Sequence, residues 1–338
     1  MSAPPLVSCI SVFFNRAESV PVSVGSLVAQ TLQDLEILVV DDGSTDATAA
    51  ELGKISDPRY RFHVQANTGF TVALSRAIAA TDSKYIAIHG SGDISFEHRL
   101  ARQAEFLEGN PDVGVVGCSI CVGNRIIGPV DGLERGPLAA AVRIRNRFSH
   151  GEVMFRRDLF ERAGGYRALF RFAQDRDLWL RLGRLCDYAR IPETLYERRF
   201  SAGTVSRTAE HLILQRRFSE FALQNDRHFQ RHGIDLVDRF GAASLLLYRR
   251  SPSVARNFVV NGLRCIHHRR PGARQLFRAA WIEYRSPATL IGLLIGRLSE
   301  AGWCAPLVRA LLRIATRQAP AADEENVDVG KLSKPKLG

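Results

Sequence analysis

The chain has 338 residues, 46 Lys+Arg against 35 Asp+Glu, and a formal charge of +11. With 46% apolar and 24% charged residues it has an ordinary globular composition, which excludes wholesale disorder, and its length suits one large domain or two. No apolar run reaches the ~18 residues of a spanning helix; the longest candidate lies near Ala288–Ile295.

The opening Met1-Ser2-Ala3-Pro4-Pro5 lacks the basic and apolar regions of a signal peptide, so a cytoplasmic setting is expected. Leu6–Phe13 reads as a strand, and Val20–Ala29 as a helix with Pro21 tolerated in its first turn. Leu35–Val40 is almost continuously apolar, as in a parallel strand buried on both faces. It stops at the turn cluster Asp41–Asp46, which leads into a helix over Ala47–Leu52. Arg59–Val64 and Tyr85–His89 follow as strands, Phe70–Ala80 and Phe96–Leu107 as helices. This alternation predicts an α/β fold, a mostly parallel sheet flanked by helices. Val113–Cys121 reads as a further strand, and Gly123-Asn124 as a hairpin that brings antiparallel strands to the sheet. Cys118 and Cys121 sit on that strand with no second Cys/His pair at zinc spacing, so they read as ordinary thiols. Segment 130–150 is loop-rich, whereas Asp158–Arg162, Leu178–Cys186 and everything from Thr208 onward read as helical. No internal repeat is visible.

Ligands of open parallel sheets bind at the carboxyl ends of the strands. Three polar clusters fall there: Asp41-Asp42-Gly43-Ser44, Asn67-Thr68-Gly69 and His89-Gly90-Ser91-Gly92-Asp93. Asp41 and Asp42 are open to two readings, helix cap or ligand contact. The GxGxxG and GxxxxGK[ST] phosphate loops are both absent, which removes the usual dinucleotide and P-loop readings.

Taken together, Val7–Asn15, Gln30-Thr31, Glu36–Asp46, Asn67–Gly69 and Asp93–Ser95 resemble the opening of the family 2 glycosyltransferases, which have the GT-A fold. The register resumes at His150-Gly151, Met154–Arg157, Gly164-Gly165-Tyr166 and Asp175–Arg181, and closes with Leu195-Tyr196, Arg199 and Gly203–Ser206. The likeness covers about residues 6–206, and it implies transfer of a sugar from a nucleotide-diphosphate donor to a glycan or lipid-linked acceptor. By position, Asp42 matches the carboxylate that recognises the base, with Asp41 beside it, and Asn15 lines the nucleotide pocket. Asn67 and Ser91 fall in the same strand-end clusters, and the resemblance implies that they are further donor contacts. Asp175 matches the base that takes the acceptor proton; without the resemblance the preferred reading is a surface carboxylate paired with Arg171 or Arg176, since charged clusters are usually solvated. A single base implies inversion. Arg199 matches a basic residue near the diphosphate, and His150 is either a ligand contact or a loop support. Asp177 is read as the cap of the helix that follows it.

Two departures stand out. The family's metal-binding Asp-x-Asp is Gly90-Ser91-Gly92 here, and only Asp93 survives. A divalent cation (Mn²⁺ or Mg²⁺) held by Asp93, a metal-free reaction served by Arg, and a degenerate domain that binds without turnover all remain open. Gln174 stands where Glu usually precedes the base, removing one negative charge beside Asp175.

The positive charge is not shared evenly. Residues 1–206 hold 24 basic and 24 acidic side chains, and residues 207–338 hold 22 and 11. Residues 207–317 therefore read as an Arg-rich helical extension, and 318–338, with few apolar side chains, as a disordered tail. In Pro306–Arg317, Arg309, Arg313 and Arg317 share one helical face opposite Leu307, Leu311 and Leu312. Such a helix suits either an anionic membrane surface, peripheral on the cytoplasmic side, or simple packing on the catalytic domain. Nucleic acid is not expected as a partner, since no recognition motif or interleaved aromatic platform accompanies the arginines.

Overall fold

The computed structural model describes residues 3–129, 132–199 and 208–300. The chain divides into two compact units, Met1–Ala202 and Gly203–Gly338. The expected domain boundary at 206/207, the Gly203–Ser206 motif, the 306–317 helix and the 318–338 tail all lie outside the described residues.

The first unit runs β1 (Val7–Phe13), α1 (Val20–Val28), β2 (Leu35–Asp42), α2 (Thr48–Leu52), β3 (Tyr60–Gln65), α3 (Phe70–Ala79), β4 (Tyr85–His89) and β5 (Ile94–Ser95). It continues through α4 (Arg99–Gly109), β6 (Val113–Val122), β7 (Arg125–Ile127), β8 (Glu134–Pro137), α5 (Leu138–Ile144), β9 (Met154–Arg156), α6 (Arg157–Arg162), α7 (Gln174–Leu182) and β10 (Asp187–Glu197). The described strands form one sheet in the order β3-β2-β1-β4-β9-β6-β10-β5, with β7 on β6 and β8 on β10. β1 is parallel to β2 and β4, and β2 to β3, so their carboxyl ends share one edge. β1 lies between β2 and β4, so the chain order reverses there, the place at which ligands of open parallel sheets bind. All seven β1 residues are buried, in keeping with a central strand covered on both faces.

The hairpin at Gly123-Asn124 forms as the turn residues imply, pairing Val122 with Arg125. Antiparallel pairing goes further than the hairpin, because β9 inserts between β4 and β6 against both. Three expectations are corrected. Segment 130–150 holds β8 and α5 rather than loop alone. The helix expected at Leu178–Cys186 begins at Gln174 and ends at Leu182. The eleven-residue β10 has no counterpart in the sequence reading, because Pro192 and its register shifts near Ile191–Tyr196 break the period-2 pattern.

The second unit is helical: α8 (Ala209–His232), α9 (Leu236–Phe240), α10 (Pro252–His267), α11 (Ala273–Glu283) and α12 (Pro287–Glu300). Phe258, Leu276 and Ala280 centre one core cluster and Phe277 another. A Cβ added at Gly262, Gly292 or Gly296 would come within 2.7–2.8 Å of the Phe277 ring, so these glycines let α10, α11 and α12 close around it. Glu283, 1% exposed, is the unit's buried polar hub: it accepts from Arg217, Tyr248 and the Ser251 N–H. Among the described residues no helix is long and apolar enough to cross a membrane.

Candidate active site

The carboxyl end of β2 ties three loops together. Asp42, 2% exposed, accepts from Gln65 Nε2 (2.7 Å) and the Thr68 N–H (2.9 Å) on Oδ1, and from the Gly69 N–H (2.9 Å) on Oδ2. This pins the 67–69 loop, with Asn67 exposed at its tip, above the sheet edge. Asp41 points elsewhere, as alternation along a strand requires. Its Oδ1 accepts from the Ser44 N–H and hydroxyl, while Oδ2 is buried with no hydrogen-bond partner. Asn15, in the left-handed region at φ 51°, accepts from the Thr45 N–H (2.8 Å) and donates its own N–H to Ser44 Oγ (2.9 Å). Asn15, Asp41 and Asp42 are thus brought to one rim.

The β4 end carries the glycine turn. The Asp93 N–H donates to the Gly90 carbonyl (3.0 Å), closing Gly90-Ser91-Gly92-Asp93 into a turn in which Gly92 has φ 103°. His89 is wholly structural here: its two ring nitrogens bond Ser23 Oγ (2.9 Å) and Ser95 Oγ (3.0 Å), and burial holds its pKa well below the ordinary value. Asp93 turns back toward β10. Its Oδ2 accepts from the Tyr196 hydroxyl (2.6 Å) and its Oδ1 from the Arg199 N–H (2.9 Å). Burial pushes its carboxyl above the ordinary range, against the pull of those two donors.

The resemblance implies a divalent cation at this turn, and the residues present do not fit one. Positions 90 and 92 offer no ligand. A Cβ at Gly90 would stand 2.3 Å from Asp93 Oδ2, so the Asp93 carboxylate fills the space a side chain at 90 would enter. Both Asp93 oxygens are already engaged by protein donors. Among the described residues no three His, Cys, Asp or Glu stand together as a metal group.

A third group borders the turn through Gly151, where a Cβ would lie 2.8 Å from the Gly90 nitrogen. His150 Nε2 bonds the Tyr166 hydroxyl at 2.6 Å, and its ring meets Phe70, Tyr166 and Trp179 edge-on. Burial lowers the His150 pKa, opposed by the charge of Asp175. Asp175 lies in the first turn of α7, where Oδ2 accepts from Asn146 Nδ2 at 2.7 Å. The turn before it is unusual: Ala173 adopts φ 54°, ψ 28° and starts the helix there. That early start overturns the reading of Asp177 as a cap. Asp177 lies inside the helix, 2% exposed, in an ion pair with Arg181 (2.6 Å) and Arg167 (3.1 Å). Arg199, two residues beyond the end of β10, keeps a half-exposed side chain with Nε 3.6 Å from Glu197.

Sequence reasoning missed Tyr196, Asn146 and Phe70 as site components. Phe70 reads as an ordinary apolar residue at a helix start, the strand that carries Tyr196 has no clear period, and nothing local ties Asn146 to a carboxylate 29 residues on.

Comparison with known proteins bears on the family and the fold. The profile of Glycosyl transferase family 2 matches residues 8–176. The Bacillus subtilis (strain 168) protein EpsE, described as a glycosyltransferase, is 30% identical over 195 residues, covering 54% of this chain and 68% of the relative. An uncharacterized glycosyltransferase of Haemophilus influenzae is 26% identical over 223 residues, covering 61% and 69%. In fold, the chain is similar to residues 1–349 of S. aureus TarS, crystallised with UDP, at TM-score 0.52 and 15% identity, with 95% of this chain and 94% of that one covered. Ordered motifs, a sheet with its polar clusters at one edge, and a profile spanning half the sequence converge: the chain belongs to glycosyltransferase family 2.

Proposed function

We propose that the chain transfers a sugar from a nucleotide-diphosphate donor to a hydroxyl of a glycan or lipid-linked acceptor, with inversion at the anomeric carbon. The acceptor oxygen forms its bond to that carbon as the bond to the diphosphate breaks. The electron pair leaves with the diphosphate, and the acceptor proton passes to Asp175. A single displacement of this kind inverts the anomeric configuration. The observation that carries this reading is the Asp175 carboxylate itself, oriented by Asn146 in the first turn of α7 and bearing electrostatically on His150. Asn15, Asp41, Asp42 and Asn67 form the nucleotide rim, with Ser91 and His150 bordering the transferred sugar. The unpartnered Asp41 oxygen supports a donor contact on that rim, because a buried carboxylate oxygen gains most from a hydrogen bond. Arg199 supplies positive charge to the departing diphosphate. The UDP bound by TarS makes uridine the first nucleotide to test.

Donor hydrolysis across UDP-, GDP- and dTDP-sugars tests the reading. Asp175→Asn should lose at least ~10²-fold in turnover while still binding nucleotide; unchanged turnover would remove Asp175 as base. A second reading, binding without turnover, draws on the glycines at 90 and 92, and a wild type that binds every donor yet hydrolyses none would favour it. For a lipid-linked acceptor, peripheral attachment is supported by α12, where Leu290, Ile291, Leu294 and Leu298 are 45–55% exposed on one face. Sedimentation with anionic vesicles should fall when residues 288–338 are removed; equal sedimentation would leave those helices a packing role only.

A further inference from the structure

We propose that Asp93 is a positioning residue rather than a metal ligand, a latch through which Tyr196 sets where the Arg199 guanidinium meets the donor diphosphate. The inference rests on the transferase reading above and deepens it.

Tyr196 is held on every side. In β10 it pairs with Ser95 of β5 and Ile120 of β6, its ring lies edge-on to His89 at 5.7 Å, and the Arg99 guanidinium stands 5.1 Å from its centre. A side chain so enclosed has one place for its hydroxyl. There it donates to Asp93 Oδ2 at 2.6 Å and accepts the Gly90 N–H at 3.0 Å. The other Asp93 oxygen takes the Arg199 N–H at 2.9 Å. One carboxylate therefore spans from the β4 turn to the residue expected to carry charge to the diphosphate.

The glycines that depart from the family pattern belong to this latch. A Cβ at Gly90 would strike Asp93 Oδ2, and one at Gly151 would fall 2.1 Å from the Tyr196 hydroxyl. A carboxylate at 90 and the Tyr196–Asp93 pair cannot share the space. Drawing Asp93 out to ligate a cation would leave the Tyr196 hydroxyl and the Arg199 N–H without their acceptors, a cost set against that ligation. Arg199 remains half exposed, as a group awaiting an anionic ligand must be, and its planar guanidinium suits a diphosphate.

Calorimetric titration of the full chain with UDP, once with manganese and once with EDTA, tests the latch. Wild type should bind equally in both. Tyr196→Phe should bind about tenfold more weakly in both, having lost one hydrogen bond to a charged group. Asp93→Asn, which keeps an acceptor for the Arg199 N–H but whose amide nitrogen cannot accept the Tyr196 hydroxyl, should fall about as far as Tyr196→Phe, and Asp93→Ala, which loses both bonds, further still. Manganese-enhanced binding in wild type that vanishes in Asp93→Asn would overturn the proposal. So would equal losses in Asp93→Ala and Asp93→Asn, or a folded Tyr196→Phe that binds as wild type does. If wild type binds none of UDP, GDP and dTDP, the transferase reading fails and takes the latch with it; binding by wild type with the wrong variant pattern sinks the latch alone.

Discussion

Replacing Asp177 by Ala separates two physical accounts of one carboxylate. A capping Asp costs about 0.5–2 kcal/mol when removed. A buried partner of Arg costs about 3–5 kcal/mol, because it strands an unpaired charge. The structure places Asp177 in the second category. Its side chain and that of Arg181 are each 3% exposed, Arg181 reaches it through both Nε (3.0 Å) and Nη2 (2.6 Å), and Arg167 adds a third contact at 3.1 Å. Arg181 cannot turn to water, since its Nη1 also donates to the Ala163 carbonyl. For a unit of this size the loss corresponds to about 6–20 °C in Tm. Trp179, buried two residues away, reports the transition by fluorescence once Trp281 and Trp303 are replaced by Phe. Replacing Asp177 and Arg181 together by Leu and Met should recover part of the loss, because apolar groups substitute for the buried pair at little cost while Arg167 still loses its contact with Asp177. A single-variant loss below ~1 kcal/mol, or a double variant no better than Asp177→Ala, would refute the argument.

Glu152 makes a pH prediction. It is 0% exposed, neither carboxylate oxygen has a hydrogen-bond partner, and burial pushes its pKa from 4.5 to about 8 against the pull of Arg190. Between those values the folded protein holds a proton that the unfolded chain has released. Stability should therefore fall by a few kcal/mol as pH rises through the window and level off above about 8. Glu152→Gln should flatten that slope in urea unfolding, and a variant profile parallel to wild type would disprove it. Ala173→Gly should stabilise the protein by up to ~1 kcal/mol, since Gly adopts the left-handed region without the penalty Ala meets at φ 54°. A measurable loss of stability would show that the Ala173 backbone is not strained.

Much of the first unit was legible because its signals are local. β1, β2 and β4 are short apolar runs, each stopped by polar turn residues, and those stops are where the rim of the site lies. Other parts were hidden for a stated reason. β8 is Glu-Arg-Gly-Pro, which carries no apolar period and is a strand only because β10 lies beside it. Asp177 resembled a cap because the helix was expected to start after it; the left-handed Ala173 moves the start four residues earlier, and a lone Ala gives no warning of that.

The sequence alone determined the family, the α/β class and the strand ends at which chemistry collects, because periodicity, turn residues and ordered motifs act over a few residues. It also showed that the charge of +11 belongs to the part after residue 206. Only the tertiary structure decided what each polar residue does there. Asp42 and Asp41 are neighbours with opposite situations, one fully bonded and one holding a bare buried oxygen. Asp93 meets Tyr196 across 103 residues and Arg199 across 106. Contacts at that separation depend on where the sheet sets its strands, and no local pattern encodes them.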